Sequence, residues 1–140
     1  MTSADLGPND THVFTEDEIR VLLVDDQMLI GKMIGKVLEE EGDINFHHCN
    51  DPAQAQQEVA RYKPTVVLLD LVMPRIGGIE LLKRFRADSA TQDIPIIILS
   101  GKEEANTKAE AFANGAHDYL VKLPEVVELV ARIRHHSRGY

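Results

Sequence analysis

This chain has one cysteine, no long apolar run, no excess of basic charge and no glycine-rich loop after its first strand-like run. Each shortage removes a class of function. Cys49 has no second cysteine within the chain, so an internal disulfide is excluded and a reducing compartment suits it. No apolar stretch approaches the roughly 20 residues that span a bilayer. The N-terminus shows neither a charged n-region nor an apolar h-region, so a secretory signal is not expected. With 15 basic against 23 acidic residues, the net charge of −8 leaves no electrostatic grip on nucleic acid or an anionic membrane. Asp25-Asp26-Gln27 contains no glycine, which removes the phosphate cradle of a nucleotide-binding module. What remains is an acidic, soluble, cytoplasmic domain. At 140 residues it is long enough to bury a core without staples.

The pattern that is present alternates. Residues 1–19 carry little apolar content and no period, and are expected to form a flexible extension. From Arg20 onward, short β-rich runs alternate with helical patterns. Val21–Val24, Asn45–Cys49, Val66–Asp70, Ile96–Ser100 and Asp118–Val121 read as strands. The segment Met28–Glu41 places Ile30, Met33, Ile34, Val37 and Leu38 on one helical stripe, with Gly42 as its stop. Its acidic end, Glu39-Glu40-Glu41, opposes the helix dipole and is expected to be solvated. Asp51-Pro52 starts a second helix that ends near Tyr62. A third helix follows Gly77-Gly78 and carries Ile79, Leu81, Leu82 and Phe85. The fourth, Glu103–Asn114, is rich in alanine with Phe112 as its large apolar anchor, and Asn114-Gly115 caps it. Pro124 opens the last, with Val126, Leu129, Val130 and Ile133 on one face.

Near-continuous apolar strands alternating with helices predict a parallel sheet covered on both faces. Right-handed crossovers make it doubly wound. Ligands in such α/β sheets bind beyond the carboxyl ends of the strands, where the strand order reverses. The polar residues that end the apolar runs are Asp25, Asp26, Asp70, Ser100 and Lys122. Three converging carboxylates repel unless a cation joins them, and Mg²⁺ takes a few carboxylates while keeping several waters. A carboxylate there can attack phosphorus, and a nearby ammonium offsets charge on the phosphoryl oxygens. Lys122 supplies the ammonium and Ser100 a hydroxyl donor.

The ordered set Asp25-Asp26, Asp70, Ser100, Tyr119 and Lys122, with Asp70-Leu71-Val72-Met73-Pro74 and Gly78, resembles a bacterial two-component response-regulator receiver domain of the CheY-like kind. The resemblance covers residues 20–136. It implies a flavodoxin-like, doubly wound five-stranded sheet of order 2-1-3-4-5. It also implies that Asp70 is the phosphoacceptor, served by a sensor histidine kinase. Asp26, Asp70 and the backbone carbonyl of Val72 would ligate Mg²⁺ directly, and Asp25 largely through water. Ser100 would follow the phosphoryl group, Lys122 would pair with it, and Tyr119 would be the aromatic switch. Pairing into a homodimer is a further implication of the family. The family's lysine is usually followed by proline; here Leu123 intervenes before Pro124.

Residues 63–74, 93–104 and 118–140 are more narrowly similar to receivers of Wsp-type diguanylate cyclase regulators. On that resemblance, residues 137–140 begin a linker to an output domain outside this chain, a diguanylate cyclase. The alternatives are a stand-alone or unphosphorylated receiver acting as an interaction module, or a Mg²⁺-dependent phosphohydrolase with an aspartyl nucleophile. Haloacid-dehalogenase-like hydrolases place a second Asp two residues after the nucleophile. Val72 stands there and transfers no proton, so fast turnover is not expected and the chain reads as a signalling domain, not an enzyme.

The remaining polar residues have plainer readings. His47 and His48 alternate across a strand and cannot chelate one metal together. His135 and His136 lack metal-ligand spacing. Arg132, Arg134 and Arg138 read as the solvated face of a helix or its stalk, and Cys49 as a packing or surface thiol.

Overall fold

A computed structural model describes residues 18–101 and 105–140. Its strands are β1 (Ile19–Val24), β2 (Ile44–Cys49), β3 (Val66–Leu69), β4 (Ile96–Ser100) and β5 (Asp118–Val121). Its helices are α1 (Met28–Glu39), α2 (Ala55–Tyr62), α3 (Gly78–Ala87), α4 (Ala105–Ala113) and α5 (Val126–Arg138). All four strand pairings are parallel and the sheet order is β2-β1-β3-β4-β5, the doubly wound flavodoxin-like arrangement expected.

Each central strand is apolar on both faces because each face is covered. Leu22, Val24, Val67, Leu69, Ile96 and Ile98 point to one side, where α2, α3 and α4 supply Val59, Leu82, Phe85 and Ala111. Val21, Leu23, Val66, Leu68, Ile97 and Leu99 point to the other, against Ile34 and Leu38 of α1 and Leu129, Val130 and Ile133 of α5. Burying a leucine or isoleucine of this kind contributes about 1.5–3 kcal/mol. The period-2 alternation of the pleat sorts one continuous apolar run into two cores.

Several local expectations need correction. β1 begins at Ile19, which is buried at the sheet edge against Ile44, so the extension expected over residues 1–19 stops short of it. Residues 1–17 lie outside the described residues. α5 runs to Arg138, and Gly139 N–H donates to His135 O. Met33, Val126 and Phe112 are exposed, so each belongs to the edge of its helical stripe and not to the core. In α4 the buried residue is Ala111. The expected start of that helix at Glu103 lies outside the described residues.

Arginines of α5 also form ion pairs. Arg134 reaches the acidic end of α1, 3.1 Å from Glu41 and 2.7 Å from Asp43. Arg132 lies 2.8 Å from Asp118. Glu39, Glu40 and Glu41 are exposed as expected, as are Arg132 and Arg138; the local sequence did not show that Arg132 and Arg134 also form these ion pairs. Other local expectations hold. Asp51 Oδ1 accepts from Ala53 N–H at 3.0 Å, and Gly42 and Gly115 take the positive φ of helix ends.

Candidate functional site

The parallel sheet fixes where its carboxyl ends lie. Asp25 follows β1 and its N–H donates to Cys49 O; Asp70 follows β3 and its N–H donates to Val24 O. Both therefore continue the sheet's backbone ladder by one residue, at the β1/β3 boundary where the strand order reverses. Ser100 ends β4, and Lys122 N–H donates to Ser100 O at 2.8 Å, carrying β5 to the same edge.

The sheet thus assembles the predicted residues. Asp25, Asp26 and Asp70 each offer a carboxylate oxygen within 4.8 Å of the others. Asp25 and Asp70 are buried, and Asp26 is half-buried. Lys122 Nζ enters between them, 2.7 Å from Asp25 Oδ2 and 3.4 Å from Asp70 Oδ1. Asp25 Oδ1 accepts from Gln27 N–H at 2.9 Å, and Asp70 Oδ1 from Val72 N–H at 3.3 Å. Val72 itself is 61% exposed, so its backbone lies at the mouth of the cluster.

Burial pushes the Asp70 carboxyl above its usual range, and the neighbouring Asp25 charge adds to this; Lys122 and the Val72 N–H oppose it. One ammonium among three carboxylates leaves the cluster with net negative charge, and a hard divalent cation would offset it. The donor set, three carboxylates within 4.8 Å of one another, fits Mg²⁺.

Ser100 is fully buried at the end of β4. Tyr119 sits one strand over, paired with Ile98 and buried, with Lys108 Nζ 5.6 Å from its ring centroid. The Lys122–Leu123 peptide is cis although no proline follows Lys122. Cys49 is buried and its thiol is pushed up to about 12 by burial, consistent with a packing role.

Two further residues support the site: Gly78, already part of the receiver-like motif, and His48, which the sequence reading left out of the site. Gly78 opens α3 against the Asp70 loop: a Cβ there would lie 2.4 Å from Asp70 O and 2.6 Å from Leu71 Cα. Its N–H donates to Leu71 O at 3.0 Å. His48 reaches the other side of the site, with Nε2 2.7 Å from Asp25 O. His47 points the opposite way, to Glu58 at 2.6 Å, as strand alternation requires. The signal for His48 was available: a polar residue one before the end of an edge strand whose neighbour carries the acidic pair.

Fold and cluster together define a doubly wound α/β domain with an acidic, lysine-bearing site at the carboxyl edge of its sheet. Comparison with known proteins makes this specific. Residues 21–134 match the model of the response regulator receiver domain, and the chain belongs to that family. It is similar to the phosphate regulon transcriptional regulatory protein PhoB of Pseudomonas aeruginosa, 38% identical over 117 residues, covering 81% of this chain and 49% of PhoB. It is 32% identical over 115 residues to the DNA-binding dual master transcriptional regulator RpaA of Synechocystis, covering 82% and 47%. The chain thus spans about half the length of these curated relatives.

Among solved structures, the receiver domain of Francisella response regulator 1452 superposes with a TM-score of 0.79 at 30% identity, covering 87% of this chain and 98% of that one. The BeF3-activated receiver domain of Klebsiella pneumoniae RstA gives 0.78 at 28%, covering 85% and 98%. Receiver domains are signalling modules of two-component systems. They bind Mg²⁺ at their acidic pocket and interact with histidine kinases and output domains. Among the described residues, no helix is long and apolar enough to cross a membrane.

Proposed function

We propose that Asp70 is the phosphoacceptor of this receiver. The observation that carries the reading is the sharing of one ammonium, Lys122, between buried Asp25 and Asp70 within a three-aspartate cluster. The Asp70 oxygen forms a bond to phosphorus while the P–N bond to the kinase histidine breaks. The electron pair of that bond leaves on the imidazole. Lys122, already 3.4 Å from Asp70, pairs with the incoming phosphoryl oxygens, and the Ser100 hydroxyl donates to one of them. Asp26, Asp70 and the Val72 carbonyl are the residues suited to hold Mg²⁺ directly, with Asp25 behind them. The ion supplies positive charge against the phosphoryl oxygens. Tyr119, on β5 next to the strand that Ser100 ends and in register with Ile98, is the side chain that follows when Ser100 moves.

The output beyond this domain has two readings. The curated relatives are a transcriptional regulatory protein and a DNA-binding transcriptional regulator, which favours a DNA-binding output. The narrower likeness to Wsp-type receivers favours a diguanylate cyclase. The relatives carry more weight, because their similarity runs along 81% and 82% of this chain. In either case the receiver itself, at net charge −8, has no grip on nucleic acid and signals through its surface.

The test is intact mass after incubation with acetyl phosphate, with and without Mg²⁺, for wild type and Asp70→Asn. One added phosphoryl group that requires both Mg²⁺ and Asp70 is expected. Wild type that neither takes up phosphoryl nor binds Mg²⁺ would leave the unphosphorylated interaction module as the reading.

A further inference from the structure

We infer that His48 is a positioning residue for the acidic site, and that Gly31 exists on α1 to admit its ring. This rests on the reading of Asp25, Asp26 and Asp70 as the Mg²⁺ cluster. His48 Nε2 lies 2.7 Å from the backbone carbonyl oxygen of Asp25. A carbonyl only accepts, so Nε2 carries the proton and donates. That carbonyl belongs to the peptide unit joining Asp25 to Asp26. Its plane sets the direction in which the Asp26 carboxylate leaves the backbone.

The remaining atoms of Asp25 are held by other groups. Its N–H donates to Cys49 O, Oδ1 accepts from Gln27 N–H, and Oδ2 meets Lys122. The Gln27 bond closes a turn across the Asp25–Asp26 peptide but leaves its carbonyl oxygen untouched, and His48 holds that oxygen from the other side.

The ring reaches this position across the face of α1. A Cβ on Gly31 would lie 2.0 Å from His48 Nδ1 and 2.3 Å from Cε1, inside the ring's own volume. Gly31 is buried at the end of the first turn of α1, where glycine still disfavours the helix relative to alanine. The helix tolerates that cost at the point where the ring passes. Gly35, one turn on, makes the matching close approach to Phe46, with a Cβ distance of 3.0 Å to its Cε2. Phe46 makes no polar contact with the cluster, so Gly35 serves packing while Gly31 serves the hydrogen bond.

Partners behind a ligand set commonly change metal affinity by about 10- to 100-fold when removed. The test is Mg²⁺ affinity by isothermal titration calorimetry on wild type, His48→Ala, His48→Gln, Gly31→Ala and the Gly31→Ala/His48→Ala pair, with a thermal melt of each in EDTA. His48→Ala is expected to weaken Mg²⁺ binding about tenfold. His48→Gln, whose amide N–H can reach the same carbonyl, recovers most of it. Gly31→Ala keeps the histidine but evicts the ring, and should weaken binding as much as His48→Ala. The double variant should be no worse than either single one, because both break the same bond.

Equal Mg²⁺ affinity in wild type, His48→Ala and Gly31→Ala, whatever their melting points, would reduce His48 to packing and overturn the inference. Additive losses in the double variant would overturn the link to Gly31. Wild type that binds no Mg²⁺ at all would instead sink the reading of the cluster itself. Should His48→Ala fail to fold, His48→Gln against Gly31→Ala keeps the comparison.

Discussion

The Lys122 ammonium lies nearer Asp25, at 2.7 Å, than Asp70, at 3.4 Å. The side chain of Asp25 is fully buried, whereas that of Asp70 keeps 5% of its exposure. The lysine therefore compensates first the carboxylate that cannot reach water, and leaves Asp70 the more accessible of the two to an incoming group. It ties β1 and β3 to the loop after β5, so the site is also a structural junction.

Removing that cation should be costly, and removing one of its carboxylates should not. Lys122→Met leaves two buried carboxylates facing each other and is expected to cost about 3 kcal/mol in Mg²⁺-free buffer. Asp70→Asn removes a carboxyl whose pKa is raised by burial and by Asp25, and should stabilise the fold. Urea denaturation in EDTA reads both. A Lys122→Met variant as stable as wild type would contradict the junction.

The two glycines before α3 should differ sharply. At Gly78 a Cβ meets backbone on two sides, Asp70 O at 2.4 Å and Leu71 Cα at 2.6 Å, and backbone cannot swing away. At Gly77 the nearest atom is Leu71 O at 3.8 Å, an ordinary contact. Gly78→Ala is expected to cost about 1–3 kcal/mol. Gly77→Ala should stay within about 0.5 kcal/mol. Because Gly78 abuts the carbonyl of Asp70, the proposed phosphoacceptor, its variant should also slow phosphorylation by acetyl phosphate. Equal melting points for the two variants would remove the steric argument.

Acid should release the tie between β5 and α5. Burial raises the Asp118 carboxyl, but Arg132 and His136 hydrogen bonds outweigh it and hold the group below its ordinary 3.8. A carboxyl depressed in the folded state contributes stability that is present above the unfolded value and lost as pH falls through the folded one. The loss therefore falls below pH 3.8. Arg132 is half-exposed, which limits the contribution to about 1 kcal/mol. Asp118→Asn should lower stability at pH 6 and flatten the acid limb. Guanidinium melts at pH 6 and pH 3 check it: parallel losses in variant and wild type would contradict the assignment.

The strands and the site were readable from sequence for the same reason. A parallel strand buried on both faces is a near-continuous run of Val, Ile and Leu, so its end is marked by the first polar residue. In Asp25, Asp70 and Lys122 that residue is also one that the sheet gathers into the acidic cluster. Helical stripes were less informative at their margins. A period of 3.6 locates the centre of an apolar face but not its width, which is why Met33, Val126 and Phe112 were assigned to a core they do not enter. Long-range partners were out of reach altogether. Nothing local says that Arg134 meets Asp43, 91 residues away, or that His48 meets the carbonyl of Asp25.

Phe112 provides the sharpest test of that margin. It is 48% exposed, while α4 buries only Ala111 among its described residues. Phe112→Ala is therefore expected to cost less than about 1 kcal/mol. Leu129→Ala in α5, at a site 2% exposed, should cost about 2–5 kcal/mol. A helix held by one alanine opens at low free energy, so α4 amides should exchange with solvent well before those of α5. On the proposed function, that low cost would let phosphorylation shift α4 together with β5 and α5. Hydrogen exchange by mass spectrometry, with and without acetyl phosphate and Mg²⁺, reads both points. Faster exchange in α4 than in α5, changed by the phosphodonor in wild type and unchanged in Asp70→Asn, is the expected result. Equal protection of α4 and α5, or the same change in Asp70→Asn, would remove α4 from the switch.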